Sequence, residues 1–226
     1  MTPNSFVRDL ARISLENVFN PYSDTCPIHD RHDGASTRRK NLRTYLDAAF
    51  VLGVDTVWMG RDLGYRGGRR TGLALTDEYH LGELQELFPG ADLSRATRGT
   101  AVAERTAAEI WAAIRKVPRP PLLWNVFPFH PHEAASPMTN RRFTARELRV
   151  VDELNASLFT WLGVKQIISI GQDAAHYASQ FGVEVKVVRH PSYGGVVDFR
   201  RGIAEAYGIA YECGDTAERQ ASLFSV

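Results

Sequence analysis

Four short runs of apolar, β-prone residues are spaced along this chain, separated by longer stretches with helical periodicity. The runs are "VDTVWM" (54–59), "PLLWNV" (121–126), "VKQIISI" (164–170) and "VEVKVV" (184–189). Such runs suit strands buried on both faces, as in a parallel sheet. Asn4 or Ser5 predicts the cap of a first helix to about Asn17. Ser36 predicts the cap of a second, running to Leu52 with Gly53 closing it. A weaker helical pattern covers 79–88 and a better one 100–116, where Val102, Ile110 and Ile114 share a face. Thr144 and Glu147 spell a capping box for a helix to about Leu162. Gly171 opens another to Phe181, and after "RHPSYGG" a last one runs to about Tyr207. The polar tail, about 212–226, is expected to fray. This alternation predicts the α/β fold class: an α/β sandwich with a parallel sheet, in one domain spanning 1–226 with an N-terminal helical extension of about 1–35.

In an open parallel sheet, ligands sit beyond the C-terminal ends of the strands. Three strand ends here carry unusual residues: Asp62 after the first, Asn125 within the second and His190 after the fourth. They are expected to converge on one cleft.

Composition narrows the partners. At 226 residues the chain can bury a substantial core, and its net charge of +1 sets up no global field for nucleic acid. Its cations are lopsided, 23 arginines to 4 lysines, which suits phosphate recognition but also follows from a GC-rich genome. Cys26 and Cys213 are too few for a disulfide scaffold or an iron–sulfur cluster. Cys26, His29, His32, His130 and His132 have spacings compatible with zinc. They match no standard ligand signature, so loop and surface roles are expected, with no metal and no cofactor. Neither a signal peptide nor a run of transmembrane length is visible, so the reading is a cytoplasmic monomer away from membranes.

The most informative stretch is "GRDLGYRGGRRTGLALTDE" (60–78), one early acid among four arginines and five glycines. A loop that only cradled phosphate would avoid that carboxylate. Breaking an N-glycosidic bond between deoxyribose and a base makes the sugar cation-like and puts negative charge on the base. The reaction needs an anion near C1′, a donor at the base oxygen where charge develops, an amide to read the base edge, and phosphate contacts. Asp62, His190, Asn125 and the Gly/Arg and Ser/Gly loops fill those four roles. Each residue also has a plain reading: Asp62 as a turn residue, Asn125 and His190 as loop ties, Phe127 as core. The arginines, and the Arg38–Arg39–Lys40 run, suit a solvated charged face.

Taken together, "MGRDLGYRGGRRTG", "LLWNVFPFHPH" and "RHPSYGG" resemble the uracil-DNA glycosylase superfamily across roughly residues 20 to 205. They match its water-activating loop (Gly-x-Asp/Asn-Pro or Gly-Glu-Ala-Pro-Gly), its base-reading Asn strand and its His-Pro-Ser loop. "NRRFTARE" and "GQDAAHY" are similar to connecting helices of bacterial members. The resemblance implies a four-stranded parallel sheet flanked by helices, a three-layer α/β/α sandwich. It puts Asp62 and His190 in catalysis, and Asn125, Gly64 and Leu75 around the base, where Phe127 is a further candidate contact on its position alone. Arg66, Arg69, Arg70, Ser192, Tyr193, Gly194 and Gly195 fall on DNA, with Tyr193 as the wedge that follows base flipping.

Four departures accompany the resemblance. Leu63 stands where Pro is usual, Gly64 where uracil-restricted members place a Tyr that clashes with a 5-methyl group, and Leu75 where a Phe stacks on uracil. The four-cysteine cluster of some bacterial members is absent. With Gly64 no side chain is expected to guard C5, so uracil and bulky 5-substituted pyrimidines of phage DNA are both candidate targets, the latter in antiviral defence. A lyase would need an amine, but Lys40, Lys116, Lys165 and Lys186 lie outside the motif loops. An N-glycosidase of free nucleosides and a non-catalytic binder of modified DNA are the alternatives.

Overall fold

The computed structural model describes residues 1–211; the tail from 212, with Cys213, lies outside the described residues. The chain begins with α1 (Pro3–Ala11), β1 (Val18–Phe19) and α2 (Gly34–Val51), which lead into β2 (Thr56–Asp62). Three helices follow, α3 (Gly68–Thr71), α4 (Leu81–Leu87) and α5 (Arg105–Ile114), then β3 (Leu122–Phe127) and β4 (His130–Pro131). After α6 (Ala145–Arg149) and α7 (Asp152–Leu162) come β5 (Gln166–Ile170), α8 (Gln172–Ala178), β6 (Glu184–Val188) and α9 (Val196–Tyr207).

β2, β3, β5 and β6 form one parallel sheet in the order β3-β2-β5-β6, flanked by helices as an α/β/α sandwich. β3 is buried along its whole length, which is why its sequence shows no alternation. α8 lies across all four strands. Polar joints fix helix to sheet: Trp124 Nε1 donates to Asn155 Oδ1 at 2.9 Å, and Trp58 Nε1 to the Tyr207 hydroxyl at 2.9 Å.

Several boundaries differ from the sequence reading. α1 stops at Ala11, and its cap is Thr2, with Ser5 as the reciprocal partner of a capping box. α2 begins at Gly34 rather than after Ser36, and α5 begins at Arg105, leaving Val102 outside. The Thr144–Glu147 capping box is present, but the helix it starts breaks at Val150–Val151 into α6 and α7. β1 and β4, too short to carry a pattern, pair antiparallel with Val18 opposite Pro131. Arg38 corrects the solvated-face reading outright: it is wholly buried, paired to Asp30 at 2.7 Å and donating to the carbonyls of Pro21 and Asp24. It ties the segment before α2 to that helix.

Candidate active site

β2 reaches three residues further than its apolar run suggests, so Asp62 is the last residue of a central strand, opposite Phe127 of β3. Its side chain is 6% exposed, and its carboxylate receives the Arg61 guanidinium, Nε to Oδ2 2.6 Å. Arg61 also faces Asp173 at the start of α8 (3.6 Å), which Arg142 holds at 2.8 Å. Burial raises the Asp62 pKa despite the opposing pull of Arg61, and Asp173 adds to the rise.

The loop after Asp62 lacks the usual proline, yet two bonds fix it. Leu63 is buried, its N–H donates to the Phe129 carbonyl at 3.0 Å, and its own carbonyl lies 2.8 Å from His130 Nδ1. The other ring nitrogen, Nε2, faces the Pro137 carbonyl at 3.3 Å; both carbonyls can only accept, and the shorter contact puts the proton on Nδ1. Burial depresses the His130 pKa to about 4, leaving a neutral ring that serves as a tie. Among the described residues, no three His, Cys, Asp or Glu side chains come together as a metal site.

Sheet register builds the floor. Gly60 pairs with Asn125, and Ile170 with Val188, in the row after Met59–Ser169. Gly60, Ile170 and Val188 line a cleft of 810 Å³; Asn125, in the same row and so on the same face, is not itself part of the lining but lies directly behind Gly60 and Leu75, which are. A Cβ on Gly60 would run into Asn125 Oδ1 and come within 3.0 Å of Leu75 Cδ2. Glycine is therefore what lets the amide lie directly behind the floor. Asn125 is 1% exposed, and among the described residues neither its Oδ1 nor its Nδ2 has a hydrogen-bond partner. A buried donor and acceptor left open cost about 1–3 kcal/mol each. Leu75 closes this side in a left-handed conformation, φ 54°, which only a constrained leucine adopts.

His190 lines the opposite side. The Ser192 N–H donates to its Nδ1 at 3.2 Å, which leaves Nε2 to carry the ring proton. Burial, and then the positive charges of Arg61 and Arg189, lower its pKa, so the ring is a neutral donor. The turn that follows is tight: Gly195 N–H donates to Ser192 O at 3.1 Å, and a Cβ there would strike the His190 carbonyl. Tyr193 stands 99% exposed at φ 53°, next to Gly194.

Three expectations need correction. Arg69 and Arg70 are buried and do not reach DNA, because the loop winds into α3 and turns both inward. Arg70 pairs with Glu78 at 3.0 Å and Thr97 at 3.1 Å, while Arg69 sits 3.9 Å above the Phe19 ring. Phe127 is fully buried against Phe129 and Phe143, outside the cleft lining. The place beside Gly64 is not open either. Glu104, the N-cap residue of α5, puts Oε1 2.5 Å from where a Gly64 Cβ would be, and it also covers Gly67.

Arg66 is exposed, and Arg142 and Arg189, also exposed, border the cleft. Sequence reasoning missed Arg61, Glu104, Arg142 and Asp173. Glu104 in particular lies in "AVAERTAAE", where nothing local marks it.

No family model and no curated protein matches the chain. Among solved structures, the crystal structure of wild-type Pedobacter heparinus SMUG2 is similar, with a TM-score of 0.58 at 13% identity. The match covers 91% of this chain and 95% of that one. The likeness is one of fold: a four-stranded parallel sheet flanked by helices.

Proposed function

We propose that the protein is a monofunctional DNA glycosylase. It flips a pyrimidine out of DNA and hydrolyses its N-glycosidic bond to leave an abasic site. The observation that carries this reading is the Asn125 amide, buried without a partner among the described residues and set directly behind Gly60 and Leu75, which line the cleft that presents Asp62 and His190. An amide left open at that cost is explained by a ligand edge that both donates and accepts. The fold likeness to SMUG2, a DNA glycosylase, supports the same reading.

Asp62 supplies the negative charge beneath C1′ as the sugar becomes cation-like, and it orients the attacking water. Its neighbour Arg61 favours the anion and opposes the rise that burial imposes on its pKa. His190, neutral with its proton on Nε2, donates to the pyrimidine oxygen on which charge collects. Asn125 reads the polar edge, with Gly64 and Leu75 beside the ring. Arg66, Ser192, Gly194 and Gly195 meet the phosphates, joined by Arg142 and Arg189 in place of the buried Arg69 and Arg70. Tyr193 fills the gap left by the flipped nucleotide. The protein works as a cytoplasmic monomer and needs no cofactor.

The target is uracil or a bulky 5-substituted pyrimidine such as hydroxymethylated or glucosylated cytosine, the latter making it a defence enzyme against phage. An aliphatic wall at Leu75 in place of an aromatic stack supports the 5-substituted base, while Glu104 takes up the space over Gly64. The test incubates purified protein with oligonucleotides carrying uracil, thymine, hypoxanthine and 5-substituted cytosines, then reveals abasic sites with hot alkali. Release that disappears in Asp62→Ala supports the reading. Intact strands with every base, or full activity in that variant, reject it.

A further inference from the structure

The cleft holds two carboxyl groups, and their surroundings are unequal. Asp62 is clamped by a guanidinium at 2.6 Å. Glu104 reaches the same cleft from the start of α5, over the bare backbones of Gly64 and Gly67. Among the described residues its carboxyl accepts no hydrogen bond, whereas its backbone N–H donates to Asp77 Oδ2 at 2.7 Å. The charges facing it are Asp62 from β2, Asp77 from the segment before α4, and Arg66 from the loop after β2. Asp77 is itself paired, to His80 at 2.6 Å, and stays ionised.

Two acids and one exposed cation therefore surround a carboxyl that has no salt-bridge partner among the described residues. Of the two cleft carboxyls, Asp62 is the one equipped to be an anion. Glu104 is the one equipped to keep its proton. Burial, followed by the fields of Asp77 and Asp62, lifts its pKa to about 7.

We propose that Glu104 is a second catalytic carboxyl of this cleft, the proton donor to the departing base, with Asp62 as its ionised counterpart. The assignment rests on the glycosylase reading and deepens it. Pairs of carboxyls divided in this way are how glycoside chemistry assigns its acid and its anion. The C1′–N1 bond breaks with its electron pair on the base, and the Glu104 proton passes to the base, which leaves neutral. Water adds to C1′ and yields a proton to Asp62. That proton returns to Glu104 through the solvent of the cleft, restoring both groups. The sum is water plus nucleotide giving an abasic sugar and a free base.

A neutral His190 can only hydrogen-bond the leaving group. A proton donor matters most when the base is a poor leaving group, so the substrate class indicated is the aminopyrimidines, cytosine derivatives, rather than uracil.

The test measures single-turnover base release from oligonucleotides carrying 5-hydroxymethylcytosine, uracil or 5-fluorouracil, in rising order of leaving ability. Wild-type protein is expected to lose rate about tenfold per pH unit above about 7, most steeply on the worst leaving group released and least on 5-fluorouracil. Glu104→Gln is expected to lower release of the worst leaving group by about 100-fold, remove that alkaline limb and spare 5-fluorouracil. The wild-type profile decides the matter even if the variant fails to fold. Base release that needs Asp62 but shows no alkaline limb near 7, or a limb that survives in Glu104→Gln, overturns the role of Glu104 alone. A wild-type protein that releases no base overturns the glycosylase reading and this assignment with it.

Discussion

Replacing Asn125 with leucine should make the fold more stable while ending base release. The two side chains share a branched shape, but leucine needs no hydrogen bonds. Both polar atoms of Asn125 are buried without partners, so the native fold carries a penalty of about 1–3 kcal/mol for each, about 2–6 in all. Leucine is larger, and the floor is already tight against Gly60 and Leu75, so overpacking takes back about 1–3 kcal/mol. At the middle of both ranges the net gain is about 2 kcal/mol, which at this chain length raises Tm by roughly 4–8 °C. The assay pairs thermal melting with alkali cleavage of a base-bearing oligonucleotide. A melting point that falls by several degrees, as for an ordinary buried polar tie, would refute the reasoning. It would mean that the amide is satisfied in the folded protein and serves the fold.

Asp62→Ala should abolish base release without lowering Tm, and the wild-type rate should fall as pH drops through the raised Asp62 pKa, because only the anion works. A pH–rate profile whose acid limb lies at or below the ordinary aspartate value would contradict this. Arg70→Ala should cost about 1.5–3 kcal/mol by removing the shortest ion pair of the buried Glu78, which keeps Arg95, Thr97 and Val102, read as a lower denaturation midpoint. Arg66→Ala should leave stability within about 0.5 kcal/mol and reduce the salt dependence of DNA binding by about one phosphate contact. Tyr193→Gly should relieve a strained φ and leave Tm equal or higher, yet slow release from duplex more than from single strands; equal slowing on both would exclude a wedge.

The sheet was legible because a strand buried on both faces writes itself as an unbroken apolar run, as in β3. Asp62 was legible as a residue but not as a strand residue, since the extension of β2 through Gly60, Arg61 and Asp62 depends on pairing with β3. The burial of Arg69 and Arg70 was hidden because their partners, Phe19, Glu78 and Thr97, meet them only through tertiary folding. A run of arginines beside glycines looks the same whether it faces solvent or the interior. Glu104 was invisible for a related reason: its place is defined by side chains that Gly64 and Gly67 do not have. The Thr144–Glu147 box was readable because capping is local, whereas the break at Val150–Val151 has no sequence marker of its own.

The opening residues are foundation rather than appendage. Phe6 packs on Trp124 of β3, β1 grips β4, and β4 contains the His130 that pins Leu63 directly behind Asp62. A chain trimmed back to its helices and central sheet would keep every reacting group, yet release the footing on which the aspartate's position depends. Anyone shortening this protein from the front would be taking apart its active site from below.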